Sequence, residues 1–278
     1  MVDDFDNIPD IDPENLQEIG GDSFVDAARE EILKLFASQP EGVFYERQLQ
    51  VLLEKRFFHW ITARAANQLV EERKIRSEWL PLIVYGERTR ARFFFSTQRR
   101  YWTRTAKEIG RLISAYSNPA VTAATGSQAE MLFDAALARA GFTIEAIGTR
   151  EYQGRKWEET NHNLDRIYVR DGFAYGAEIK NKLGYMEGEE LFRKLRISRH
   201  LGITPLFIAR MLPKSWIYEV WKQGGFSLIY EAQVYPFGME LFVEELKEKL
   251  GLPVACPKSI PSGIVQRLLN FHKRRLSV

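Results

Sequence analysis

Asn163-Leu164-Asp165-Arg166-Ile167-Tyr168-Val169-Arg170-Asp171-Gly172-Phe173-Ala174-Tyr175-Gly176-Ala177-Glu178-Ile179-Lys180 reads as two strands, Leu164 to Arg170 and Phe173 to Lys180, folded about Asp171-Gly172. Asp-Gly between two β-prone runs is the strongest short-range signal for a tight hairpin. Strand alternation sends Glu178 and Lys180 to one face and Ile179 to the other. The fold-back returns Asp165 to the side of the second strand, so Asp165, Glu178 and Lys180 converge at one end of the hairpin. Two carboxylates and a lysine are suited to hold a hard divalent cation and activate a water. A structural reading competes with this, in which Glu178 or Asp165 simply pairs with Lys180 or Arg166.

Outward from the hairpin, Gly126-Ser127-Gln128-Ala129-Glu130 opens a helix over 127–140, closed by Gly141-Phe142. A strand (Thr143–Gly148) and a polar loop (Glu151–Asn163, with Arg155, Lys156 and Trp157) lead into the hairpin. After it come a helix (Glu187–Leu201), a strand (Pro205–Ala209), a helix (Lys214–Lys222) and a strand (Ser227–Tyr230). Asp, twelve residues, then Glu-x-Lys, set after a Glu-bearing helix, resembles the PD-(D/E)XK nuclease superfamily over roughly residues 120 to 235. Asn163-Leu164 stands where the family name has Pro.

That resemblance implies an α/β (α+β) chain with a restriction-endonuclease-like αβββαβ core that hydrolyses phosphodiester bonds. It implies Mg²⁺, with Mn²⁺ able to substitute, held by Asp165, Glu178 and the carbonyl of Ile179. Glu130 would be a further acidic ligand and Lys180 the catalytic lysine. Lys182 would meet phosphate, and Arg193, Lys194, Arg196 and Arg199 would track the strand being cut. The sequence has no Gly-rich phosphate loop and no Ser or Cys nucleophile elbow, so nucleotide motors and acyl-enzyme hydrolases lack their parts.

The N-terminal half has another pattern. Phe24, Ala27, Ala28, Ile32, Leu35 and Phe36 recur at helical spacing after Asp22 or Ser23 as cap. Val43-Phe44-Tyr45 is short and extended; helices follow over Glu46–Lys55 and Ile61–Lys74. Ile75–Tyr85 and Thr89–Ser96 then form a hairpin about Gly86-Glu87-Arg88. This order resembles a winged helix-turn-helix domain in architecture, which implies that the third helix reads DNA through Thr62, Arg64, Asn67, Gln68 and Arg73. Arg64 and Gln68, four apart, suit guanine and adenine edges; Arg88, Arg90 and Arg92 alternate outward on the wing. A dimer or peptide docking module would share this outline. Gln98–Ala115, with Arg99, Arg100, Arg104, Lys107 and Arg111, reads as a phosphate-contacting helix or a solvated connector.

Eight acids and no Lys or Arg fall in residues 1–22, so the remaining chain carries 39 basic against 29 acidic residues, net +10. A basic body points to a polyanionic partner, here duplex DNA. Length and a 45% hydrophobic content allow two domains with cores of their own. No apolar run reaches membrane-spanning length, and no signal-peptide pattern opens the chain, which implies no membrane partner and a cytoplasmic protein. The lone Cys256 excludes an internal disulfide and a cysteine-rich zinc site, and the four scattered His give no zinc pattern.

The expected division is an acidic leader (1–22), a winged-helix domain (23–97), a basic connector (98–118), the nuclease-like domain (119–235) and a helical extension (236–278). That extension covers a sheet edge or forms a homodimer contact. The resulting expectation is a metal-dependent DNA endonuclease brought to its site by the winged helix. A DNA-binding regulator that uses the nuclease-like fold for docking, and a nuclease for RNA or branched DNA, are the alternatives.

Overall fold

The computed structural model describes residues 22–277, so the acidic leader, except for Asp22, lies outside the described residues. The chain divides into two compact units, Met1–Ser114 and Ala115–Val278.

The first unit runs α1 (Asp22–Ser38), β1 (Val43–Tyr45), α2 (Glu46–Leu53), α3 (His59–Glu71), β2 (Ile75–Val84) and β3 (Glu87–Ser96), and α4 (Trp102–Tyr116) leads out of it. Its apolar core joins Val25, Ala28, Ile32 and Phe36 of α1 to Ile61, Ala65 and Leu69 of α3 and to Phe94 of β3. The buried stripe of α1 therefore begins at Val25, and Phe24 lies on the exposed side. Because α1 already includes Asp22, its capping position falls outside the described residues.

β2 and β3 pair without a break from Ile75↔Ser96 to Val84↔Glu87. The turn is thus Tyr85-Gly86, both left-handed (φ 51° and 84°), rather than the expected Gly86-Glu87-Arg88. Two left-handed residues make the turn whose twist matches paired strands. β3 is central and β2 an edge in the order β1-β3-β2, which is why Pro81, lacking an N–H, is tolerated in mid-strand. Leu82 sits against Gly110 of α4, and Ser114 Oγ donates to the carbonyl of Ile83 at 2.9 Å. The connector helix thus begins at Trp102, later than expected, and backs one face of the hairpin.

The second unit is built on a five-stranded sheet of order β10-β9-β8-β7-β4. Its elements are α5 (Pro119–Arg139), β4 (Thr143–Thr149), a small hairpin β5 (Glu151–Tyr152) and β6 (Arg155–Lys156), β7 (Leu164–Arg170), β8 (Phe173–Lys180), α6 (Gly188–Leu201), β9 (Thr204–Ala209), α7 (Lys214–Lys222) and β10 (Phe226–Ile229). β11 (Gln233–Val234), α8 (Glu240–Leu250), β12 (Val254–Ala255) and α9 (Ser262–Leu276) follow. β7 runs antiparallel to both of its neighbours, β4 and β8, and β8, β9 and β10 run parallel.

Parity along the strands sorts the core into two layers. Tyr168, Tyr175, Ala177, Ile179, Leu206 and Ile208 face α5 and α9. Ile167, Phe207 and Ala209 face α6 and α7. α5 starts eight residues earlier than the sequence suggested. Asn118 accepts from Ala120 N at 2.9 Å as N-cap and Pro119 takes the first turn, the position where a missing N–H costs nothing.

Candidate functional site

Arg170↔Phe173 is the last rung before Asp171-Gly172, whose φ values of 49° and 78° make it a two-residue turn of the expected kind. The ladder's other end stops at Arg166↔Ala177. Continued by one residue, that register sets Asp165 across from Glu178. Beyond the last rung the Ile179 amide would lack a strand partner, and Asp165 Oδ2 accepts from it at 2.7 Å. The carboxylate of Asp165 is thereby fixed to the main chain beside Glu178.

Asp165, Glu178 and Lys180 share the parity of the face covered by α6. There Glu178 is 1% exposed, with Lys180 Nζ at 2.6 Å from Oε1 and Lys194 Nζ at 2.5 Å from Oε2. These are charge contacts without well-directed hydrogen bonds, so both buried oxygens keep unused lone pairs. Each ammonium has a second acceptor. Lys180 reaches Glu190 Oε1 at 2.8 Å, and Lys194 donates to the carbonyl of Asn163 at 2.5 Å. Glu190 and Lys194 are four apart on α6 and so lie on one helix face.

Burial pushes the Glu178 carboxyl above its ordinary range, Asp165 adds to this, and the two lysines oppose it. With an ammonium on each oxygen, the carboxylate form is the one this pocket holds at neutral pH. Burial pulls Lys180 downward, but Glu178 and Glu190 outweigh it and hold the ammonium well above the usual lysine range. Burial raises Glu190 and Lys180 more than offsets that, leaving Glu190 below its usual range.

Glu130 does not join these groups. It pairs with Arg166 Nη2 at 2.8 Å, and Arg166 also reaches Asp134 at 3.2 Å on the α5 side of the sheet. Tyr168 OH donates to Asp134 Oδ1 at 2.6 Å, and burial followed by Asp134 pushes the phenol well above its ordinary range. Arg166 Nη1 donates to the carbonyl of Asp165 at 2.8 Å, so this cluster braces the strand that carries Asp165. Among the described residues no three His, Cys, Asp or Glu gather as a cation cage. Asp165 and Glu178 are the two acids brought together. Two carboxylates suit Mg²⁺, which keeps several waters and seldom has an all-protein cage.

Other expected contacts resolve differently. Lys194 is buried against Glu178 and cannot track a strand. Arg193 bonds His162 Nε2 at 2.6 Å and lies 3.5 Å from Glu189, and Arg196 pairs with Glu159. Trp157, within the loop read as polar, is 2% exposed and packs with Leu164, Ile167, Ile197 and Leu201. It pins the loop that carries β5 and β6. Lys182 is exposed.

In the first unit, Arg64 is exposed on α3 but Thr62 is fully buried. Asn67 accepts from Arg92, which also donates to Ser77 Oγ at 3.1 and 3.0 Å, so both are committed inside the unit. Gln68 is half-buried and Arg73 exposed in a left-handed conformation. By parity Arg88, Arg90, Trp79 and Ile83 share one face of the hairpin, all exposed, and the Arg90 guanidinium lies 4.7 Å over the Trp79 ring. No helix among the described residues is long and apolar enough to cross a membrane.

No family model, curated protein or solved structure matches the chain at a significant level.

Proposed function

We propose that the protein is a metal-dependent DNA endonuclease of the PD-(D/E)XK type, in which a winged-helix unit delivers the nuclease unit to duplex DNA. The observation that carries this reading is the pairing of Asp165 with a buried Glu178 beside Lys180 at one end of an antiparallel hairpin. The order α5, β4, β7, β8, α6, β9 around that hairpin, with the short β5–β6 hairpin inserted after β4, supports the reading, since the family's core runs αβββαβ.

In this reading Asp165 and Glu178 hold Mg²⁺, or Mn²⁺ in its place, together with the Ile179 carbonyl. The ion, when bound, supplies Lewis acidity and a water of lowered pKa. Asp165 is preset for its part by the Ile179 amide, and the low-dielectric surroundings of Glu178 strengthen its hold on a cation. Lys180 offsets charge that develops on the phosphate. Lys182 and the exposed wing residues Arg88 and Arg90 contact the backbone, and Arg64 contacts a base edge.

A second reading has its own support. An ammonium on each oxygen of Glu178 is also what a purely structural ion-pair network looks like, and that favours a DNA-binding regulator which cuts nothing. Incubation with supercoiled plasmid, single-stranded and branched DNA under Mg²⁺ or Mn²⁺ separates the two. Divalent-dependent cutting that Asp165→Asn abolishes supports the nuclease. No cutting of any substrate by the wild type leaves the regulator.

A further inference from the structure

The Lys180 ammonium stands between two carboxylates on different elements, Glu178 of β8 at 2.6 Å and Glu190 of α6 at 2.8 Å. If Glu178 turns its lone pairs to a divalent cation, an ammonium on the same carboxylate is repelled by that cation. A lysine with one partner would then swing out on its flexible stem. Lys180 has another partner already in contact, and α6 holds that partner rigidly, since Leu191 and Leu195 bury the same helix against β9.

We propose that Glu190 is a positioning residue for Lys180: it keeps the ammonium beside the acid pair when a divalent cation takes over Glu178. The inference rests on the metal-dependent reading above and adds a role for α6. Lys194 is placed alike, with the Asn163 carbonyl as its second acceptor. It approaches the other oxygen of Glu178 and is nearly closed to solvent, so it stays with the fold. Lys180 is the more exposed of the two, 26% against 6%, and is the ammonium that can reach a substrate.

The test reads Lys180 itself. Full-length wild type, Glu190→Gln and Glu189→Gln are labelled briefly with acetic anhydride, with and without Mn²⁺, and Lys180 modification is followed by peptide mass spectrometry. Calorimetric Mn²⁺ titration of the same proteins and of Asp165→Asn shows whether the ion is bound. Glu189 is the control, because it is 89% exposed and faces Arg193. In wild type and Glu189→Gln, Mn²⁺ should leave Lys180 labelling slow. In Glu190→Gln it should raise labelling about tenfold, the factor carried by one charge-assisted hydrogen bond. Where substrate is cut, Glu190→Gln should lower kcat with KM unchanged.

Mn²⁺ bound by Glu190→Gln with Lys180 still protected overturns the proposal, as does an equal rise of labelling in wild type. Wild type and Asp165→Asn alike failing to bind Mn²⁺ is a different result. It removes the metal reading of the site, and this role with it.

Discussion

Lys194 Nζ lies 2.5 Å from Glu178 Oε2, with side-chain exposures of 6% and 1%. A buried pair of this kind is weak evidence for net stabilisation, but removing one partner strands a charge. Lys194→Met should therefore destabilise the second unit by about 3 kcal/mol, the lower end of the range for broken buried pairs, because Lys180 stays on the other oxygen. Urea unfolding measures this. Adding Glu178→Gln to Lys194→Met should recover more than half of the loss, since the stranded charge is gone. Additive losses in the two variants would mean that the residues do not act as a pair.

Asp165→Asn and Lys180→Ala should both abolish cutting, through different losses. Asn keeps an oxygen for the Ile179 amide but lacks the charge, so ion affinity should fall with the rate. Lys180→Ala leaves both acids in place, so the ion should still bind while the rate drops on the order of 10²–10³-fold. Calorimetric titration beside plasmid nicking separates the two. Ca²⁺ should bind without supporting turnover, and nicking that persists in EDTA would sink the metal-dependent mechanism.

On the first unit, Arg92, committed to Asn67 and Ser77, and the exposed Arg64, Arg88 and Arg90 should behave differently. Arg88→Ala and Arg90→Ala should weaken duplex binding on all sequences and flatten its dependence on salt, by roughly one unit of slope per phosphate contact. Arg64→Ala should relax sequence preference instead. Arg92→Ala should chiefly lower the thermal midpoint of the unit, because Arg92 ties Asn67 of α3 to Ser77 of β2. Unchanged binding in an Arg88→Ala/Arg90→Ala double variant, by titration at two salt concentrations, would assign the unit to docking.

The hairpin that carries Asp165 and Glu178 was legible because its signal is local: an Asp-Gly turn and strict alternation set both register and face. The flanking order of α6, β9, α7 and β10 was legible from periodicity, and α7 has the expected bounds. Two of the misplacements, Lys194 and Thr62, share one cause, a polar residue on an inward stripe. Lys194 falls with Leu191, Leu195 and Ser198 on one face, and Thr62 with Ala65, Ala66 and Leu69. Either stripe marks its polar member as buried, but residue type suggested phosphate and base contacts.

Nothing local in the sequence marks Glu190, for a related reason. Its importance comes from the sheet face on which α6 packs, and no spacing within one element reports that. The same limit applies to Glu130 and Arg166, which sit 36 positions apart in sequence. Gln153-Gly154 between β5 and β6 did carry a turn signal, with φ values of 46° and 78°. That hairpin is only two residues long on each side, too short for alternation to be seen.

At the turn end of the same hairpin, His272 of α9 is fully buried between Tyr175 and Asp171, with Nδ1 2.7 Å from Tyr175 OH and Nε2 2.9 Å from Asp171 Oδ2. All three groups are satisfied when Tyr175 donates to Nδ1 and the Nε2–H donates to Asp171. The hydrogen bond from His272, then that from Arg170, holds the Asp171 carboxyl below its ordinary range. A depressed carboxyl stabilises the fold above its unfolded-state pKa, and the contribution fades as pH falls through the lower folded value. Asp171→Asn should therefore lower the thermal midpoint of the second unit near pH 7. Asn is at ease in the left-handed conformation of this turn, so the turn itself is controlled for. The gap between wild type and variant should close as the pH drops below the ordinary aspartate value of about 3.9. Amide exchange along α9 should show the same loss of protection first at its contact with the turn. A gap of constant size from pH 7 to pH 2.5, followed by circular dichroism, would assign the effect to turn geometry and not to the Asp171 charge.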